Sequence, residues 1–445
     1  MMRRLLHRPA RIVPLAFLGA ITVGTLLMML PAARADPGGA PFITALFTAA
    51  SAICVTGLSS VDTPTYWSPV GHVLITVLTQ IGGFGIMGLA TLVGLLVTKR
   101  LGLRSRLMAQ AEQGALQIGD LGRLLVGIAV TMLVCEAAVA AVVALRLIGH
   151  YDYSPGRAVW EGIFHAVQSF NNGGFALHSD SLASFVNDWW ICLPLSLGVV
   201  AGSLGFPVIL ELARDVRRPA CWSTHTRMTV WGSLILLAVG FLVILTFEWS
   251  NPRTFGPLNL PTKTLAAFTQ SVMPRSGGFA TVDYTAMNTE TLAATIGLMF
   301  IGGGGGGTAG GIKVTTFFLL AHVIWAEVRG EPDVVIGKRR ISESTQRQAV
   351  TVALLGVALV AVGTVALIAL TDNVRFEYAL FEVTSAFGTV GLTAGLTASL
   401  GPAAQLLLVA LMFIGRVGTV AFGAALALNT ARHTYRYPEG RPIVG

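Results

Sequence analysis

Eight long apolar stretches alternate with polar segments along the chain, at roughly residues 11–31, 70–98, 124–148, 187–213, 229–249, 291–326, 349–371 and 402–430. A helix needs about 20 apolar residues to cross a hydrocarbon core, so each qualifies as a span. Within successive pairs lie shorter helix-like stretches, 41–54, 157–170, 262–274 and 376–388, each too short to cross. The pattern predicts four units, each an outer span, a short re-entrant helix and an inner span. The 291–326 stretch is too long for one straight helix and carries a glycine run, so it is predicted to be broken.

Each re-entrant stretch is followed by a glycine-bearing tetrapeptide: Val55-Thr56-Gly57-Leu58, Asn172-Gly173-Gly174-Phe175, Ser276-Gly277-Gly278-Phe279 and Thr389-Val390-Gly391-Leu392. Their third-position glycines are 117, 104 and 113 residues apart (174−57, 278−174, 391−278). One such dipeptide would mark only a turn; four at near-constant spacing indicate one pore built from four quarters of one polypeptide. Non-helical backbone at membrane depth is tolerated only where protein buries it or water reaches it. A row of inward carbonyls requires residues on alternate sides of Ramachandran space, and glycine reaches the mirror region without steric cost. Carbonyl rings of this kind replace an ion's hydration shell in cation filters. The re-entrant helices aim their C-terminal ends, each about half a negative charge, at the axis. Such chemistry is carried by the backbone, so varied first-position side chains are acceptable.

Composition agrees with this reading. The chain of 445 residues is 53% hydrophobic and only 12% charged, about half the charged share of soluble domains. The net charge of +8 has a positional explanation that leaves no role for nucleic acid. With the N-terminus inside, 21 of the 30 basic residues fall in inner segments, among them Arg3, Arg4, Lys99, Arg100, Arg217, Arg218, Arg339 and Arg340. Six fall in outer segments: Arg34, Arg146, Arg157, Arg253, Lys263 and Arg375. This positive-inside bias supports eight spans with both termini cytoplasmic. Arg3 to Ala35 also fits a cleavable signal, but the repeat plan needs this helix as the first span. Cys54, Cys135, Cys192 and Cys221 include no CxxC pair and read as small apolar side chains. The eight histidines show no metal spacing.

The residues that surround the tetrapeptides resemble the Trk/Ktr/HKT superfamily of potassium transporters over nearly the whole chain. The matching stretches include Val61-Asp62-Thr63, Gln80-Ile81-Gly82-Gly83, Ser169-Phe170-Asn171-Asn172, Pro274-Arg275, Gly310-Gly311-Ile312-Lys313 and Ser385 to Leu392. The first filter comes as early as residue 57, without the extra helical pair of Trk-type members, so the Ktr membrane-subunit type is the nearer match. The resemblance implies an all-α polytopic fold of four tandem helix–pore-helix–helix repeats around a pseudo-fourfold pore. The repeats are 1–98, 99–214, 215–327 and 328–430, with a cytoplasmic tail at 431–445. It implies K⁺ as the transported ion, with Na⁺ activation left open, in a bacterial inner membrane among its lipids. Gly57 stands where serine goes with sodium preference in plant relatives, which points to potassium. A homodimer is implied, as is a cytosolic ring of RCK-type (KtrA-like) subunits on inner loops 99–123, 214–227 and 327–347. No nucleotide site is expected on this chain.

The same resemblance makes the glycine run a gate. Gly302, Gly303, Gly304, Gly305, Gly306, Gly307, Thr308, Ala309, Gly310 and Gly311 interrupt the third inner helix. Glycines cost about 1 kcal/mol each in a helix, so the segment is expected to be non-helical and mobile beneath the filter, together with Lys313; the other reading is a smooth face for close packing. Gly305-x-Gly307-x-x-Gly310 mimics a dinucleotide fingerprint but follows a membrane span rather than a strand. Arg416 lies mid-span, where an arginine costs about 2.5–3.5 kcal/mol. It is expected below the filter, as a barrier to cations and a clasp on the loop, or as a structural partner of helix-end carbonyls. Arg275 is expected behind the third filter, paired with a carboxylate such as Glu382 or Glu161, and Glu136 is expected to be a buried partner of unspecified identity. A coupled secondary transporter, which would show inverted repeats, a weakly selective K⁺/Na⁺ transporter, a voltage-gated channel and a membrane enzyme are the rival classes. No nucleophile–base or metal motif favours the last.

Overall fold

The computed structural model describes residues 9–100, 121–337 and 339–418. Apart from one small hairpin, its regular elements are helical, and they recur in the predicted order. Quarter one comprises α1 (Pro9–Met28), the pore helix α2 (Phe42–Ile53) and α3 (Pro69–Arg100). Quarter two comprises α4 (Leu121–Tyr151), the pore helix α5 (Pro155–Asn171) and an inner pair, α6 (Trp189–Leu204) and α7 (Phe206–Asp215). Quarter three has α8 (Thr224–Glu248), the pore helix α9 (Leu260–Val272), then α10 (Thr289–Phe300) and α11 (Val314–Val328) flanking the glycine loop. Quarter four has α12 (Glu343–Leu370), the pore helix α13 (Phe376–Gly388) and α14 (Pro402–Phe413).

Packing closes these quarters into a ring. The inner helix of each quarter lies against the pore helix of the next: α3 on α5, α6 on α9, α10 on α13, and α14 back on α2. Each pore helix also packs on its own outer helix, as α1 on α2 and α8 on α9 do. The pore helices are therefore largely buried toward their C-terminal ends; Phe47, Phe164, Leu265 and Phe381 are fully enclosed. The outer helices keep apolar residues outward, such as Val126, Val130 and Leu133 on α4 and Leu354, Val362 and Val365 on α12. A contiguous apolar belt of this kind fits lipid rather than water.

Three departures from the sequence reading stand out. The expected 187–213 span bends by 102° between α6 and α7, at Gly205, whose φ of +92° suits glycine. The cause is local: a Cβ on Gly205 would lie 2.7 Å from the Gly305 carbonyl oxygen, so two broken inner helices meet backbone to backbone. The 402–430 span runs as α-helix only to Phe413 and then widens into a π-turn, Ile414–Gly418; its remainder lies outside the described residues. The fold is not purely helical either: β1 (Val335–Ile336) pairs antiparallel with β2 (Arg339–Arg340). Inner loop 99–123 falls largely outside the described residues, as does the 431–445 tail.

Candidate functional site: four filter segments over a glycine loop

The filter begins in the way its pore helices end. In α2, α5 and α13 the chain turns left-handed at the first filter residue. The amide of that residue bonds three positions back and the next amide five back: Val55→Ala52 and Thr56→Ser51, Asn172→Ser169 and Gly173→Gln168, Thr389→Ala386 and Val390→Ser385. This is the Schellman pattern, which satisfies helix-end carbonyls. The third quarter differs, with turn residues Met273 to Arg275 intervening and Gly277 bonding to the Met273 carbonyl at 2.8 Å.

Positive φ then recurs at alternate positions in all four segments: Val55 (54°) and Gly57 (88°), Asn172 (64°) and Gly174 (72°), Ser276 (73°) and Gly278 (76°), Thr389 (47°) and Gly391 (92°). The sequence reading assigned the mirror region to the glycine alone. The first position adopts it too, in two cases with a β-branched side chain, for which it is a genuine outlier. Strain of this type, about 1–3 kcal/mol per residue, persists where surroundings over-determine it and clusters at functional sites.

The four glycines abut one another around the ring. A Cβ on Gly57 would strike the Gly173 carbonyl oxygen, and one on Gly174 would lie 2.7 Å from the Gly278 Cα. One on Gly278 would lie 2.8 Å from the Val390 carbonyl oxygen, and one on Gly391 would strike that of Thr56. The order is one–two–three–four–one.

Beneath this ring sits the glycine loop, non-helical as expected. It is bound at several points: Gly304 N–H to Ser203 O at 2.8 Å, Thr308 N–H to Gly202 O at 3.1 Å, Phe206 N–H to Gly306 O at 3.3 Å, and Gly302 N–H to Ile312 O at 2.8 Å. The glycines are small because backbone surrounds them. A Cβ on Gly303 or Gly307 would lie about 2.5 Å from the Ser203 carbonyl oxygen, and one on Gly310 would strike Thr389 Oγ1. The packing reading and the loop reading thus describe the same residues.

First-position side chains reach down to this loop. The Thr308 hydroxyl donates to Asn172 Oδ1 at 2.6 Å, and Gly310 N–H donates to Ser276 Oγ at 3.4 Å. Ser276 Oγ in turn donates to the Thr389 carbonyl at 2.5 Å. Two of these side chains thus bond the loop directly, and Ser276 links it on to the backbone of the fourth filter. Arg416, only 1% exposed, donates to the Thr308 carbonyl and at 3.5 Å to that of Gly82, so it lies under the filter against the loop. Lys313 Nζ donates to the Ala309 carbonyl at 2.5 Å.

Two pairings differ from expectation. Among the described residues Arg275 meets no carboxylate: it donates to Ser233 O at 3.1 Å and Ser233 Oγ at 2.8 Å. Its anticipated partners are engaged elsewhere. Glu161 holds Arg157 at 2.8 Å and His178 at 3.1 Å, while Glu382 is saturated by its own loop. Glu136 accepts from Gln80 at 3.1 Å and Asn171 at 2.9 Å, behind the second filter. A further repeat went unread in the sequence. Gly82, Gly202 and Gly415 each pass under a pore-helix end, where a Cβ would strike the carbonyls of Ile53, Phe170 and Phe387. They follow their filter glycines by 25, 28 and 24 residues (82−57, 202−174, 415−391), and this second spacing is the signal that would have found them.

Against known proteins, a family profile described as "Cation transport protein" (TrkH) matches residues 21–429. The chain belongs to the TrkH family. It is 36% identical over 437 residues to the Ktr system potassium uptake protein B (KtrB) of Bacillus subtilis, covering 98% of this chain and 97% of that protein. It is 33% identical to the potassium/sodium uptake protein NtpJ of Enterococcus hirae, over 98% and 97% of the two chains. The crystal structure of the potassium transporter TrkH from Vibrio parahaemolyticus superposes with a TM-score of 0.71 at 20% identity, covering 94% of this chain and 84% of that one. As a TrkH-family member, the protein is a membrane cation transporter of helical pseudo-repeats and not an enzyme.

Proposed function

We propose that this chain is the ion-translocating subunit of a Ktr-type potassium uptake system. The observation that carries the reading is the alternation of positive φ in four segments whose glycines meet in a closed ring. Such alternation turns successive carbonyls toward one axis, the arrangement that substitutes for a hydration shell. The name of the Bacillus subtilis relative supports K⁺ as the ion. A membrane potential supplies about 2.3 kcal/mol per charge per 100 mV, enough to draw K⁺ inward without a nucleotide site on this chain.

In this reading Val55, Thr56 and Gly57 with their counterparts in the other quarters form the filter. Residues 302–311, Lys313 and Arg416 form the gate. Both termini lie in the cytoplasm of a bacterial cell. The chain pairs as a homodimer and takes its control from a cytosolic RCK-type ring on the inner loops. The word "system" in its relative's name fits a separate regulatory subunit.

The test is Rb⁺, Na⁺ and Li⁺ flux into proteoliposomes at a fixed potential. Rb⁺ flux that excludes Na⁺ is the expected result. Flux that strictly requires a Na⁺ gradient would instead favour coupled transport. Equal Rb⁺ and Na⁺ flux would favour the less selective alternative, consistent with the name of the Enterococcus relative.

A further inference from the structure

Each pore helix carries a buried polar residue at a similar position, and in quarters two to four it bonds the segment that leaves the filter. Thr48, His165, Gln270 and Glu382 precede their filter glycines by 9, 9, 8 and 9 residues (57−48, 174−165, 278−270, 391−382). In quarter two, His165 Nε2 accepts the Leu177 N–H at 3.4 Å. In quarter three, with the Gln270 amide turned to satisfy every partner, its oxygen accepts Thr281 N–H at 2.8 Å, Thr281 Oγ1 at 3.0 Å and Val282 N–H at 3.3 Å. Its NH₂ group then donates to the Tyr284 hydroxyl.

Quarter four repeats this arrangement with a carboxyl. Glu382 is fully buried. Its Oε1 accepts Ala394 N–H and Leu396 N–H, both at 3.2 Å, and the Thr393 hydroxyl. Its Oε2 accepts the Thr397 hydroxyl at 2.6 Å. Among the described residues no ion pair involves it. Burial favours the neutral acid, whereas the two backbone N–H groups on Oε1, which can only donate, favour the anion. The loop it grips, 393–397, leaves the filter on the face away from the glycine loop, which bonds below.

We infer that Glu382 is an affinity-setting residue of the outer mouth: its carboxylate positions the fourth post-filter loop and places there a fixed negative charge that no basic side chain neutralises. A cation arriving at the filter supplies the missing counter-charge. Gln270 shows that an amide can do the positioning alone, so the charge and the scaffold are separable by one substitution. The inference rests on the transport reading above.

The experiment measures Rb⁺ uptake against Rb⁺ concentration in proteoliposomes for the wild type, Glu382→Gln and Gln270→Glu, with thermal stability read in parallel. A unit charge roughly 10–15 Å from the ion in a medium of effective dielectric near 20 is worth a concentration shift of about six- to sixteenfold. Glu382→Gln is expected to raise the half-saturating Rb⁺ concentration by that factor while saturating flux persists, and Gln270→Glu to lower it. An unchanged half-saturation in Glu382→Gln overturns the inference, as does lost stability and flux with half-saturation fixed, which would leave only a structural role. Should Glu382→Gln fail to fold, an unshifted Gln270→Glu overturns it. Absent wild-type flux would instead sink the transport reading itself.

Discussion

At the scale of single residues, the filter runs on conformational strain held by neighbours. Val55 and Thr389 occupy left-handed backbone that costs about 1–2 kcal/mol for an L-residue, and the helix ends beneath them fix it. Gly57 has no spare room: any Cβ there meets the Gly173 carbonyl across the quarter boundary. Gly57→Ser is therefore expected to push the first and second filters apart and reduce Rb⁺ over Na⁺ discrimination by about tenfold, the equivalent of 1.4 kcal/mol, measured as a flux ratio. Arg416 acts differently. Its charge sits below the filter, and one guanidinium nitrogen holds the Thr308 carbonyl. Arg416→Gln removes both the barrier and the clasp, so basal flux without any partner should rise several-fold. Unchanged basal flux and unchanged partner control would contradict a gating role.

At the scale of elements, hydropathy and glycine spacing are enough to read the helices, the short pore helices and the positive-φ glycines that follow them from the chain itself. These are periodic, local properties. Arg275 was not readable, because a buried arginine is equally well served by a serine carbonyl and hydroxyl as by a carboxylate, and sequence carries no sign of which is near. The 102° bend at Gly205 was hidden for a related reason. One glycine in an apolar run signals little until another backbone, here Gly305 to Gly307, is seen against it. The bonds of the first-position side chains Asn172 and Ser276 were not readable, since their partners, Thr308 and Gly310, lie 136 and 34 residues away. Removing two residues from 302–307 should break the loop's register with Ser203 and Gly202. Raised basal Rb⁺ leak with ion preference intact is the expected result. An equal loss of ion preference would deny that filter and loop divide the work.

At the scale of the whole molecule, the charge asymmetry and the closed ring make a directional prediction. In a cysteine-free background, Arg217→Cys should react with a membrane-impermeant maleimide only from the cytoplasmic side and Lys263→Cys only from outside. The reverse labelling would invert the topology. The ring also explains why one polypeptide can carry unequal quarters: α14 closes on α2, so each quarter is held by the next and can specialise.

In the proposed gate, the loop's bonds to the α6–α7 junction hold the closed state. Three backbone bonds, Gly304 to Ser203, Thr308 to Gly202 and Phe206 to Gly306, contribute about 0.5–1.5 kcal/mol each. Their sum, roughly 3 kcal/mol, corresponds to a closed state favoured by on the order of a hundredfold. Whatever opens the loop in service must also outweigh the Thr308 bond to Asn172, the Gly310 bond to Ser276 and the Arg416 bond to the Thr308 carbonyl.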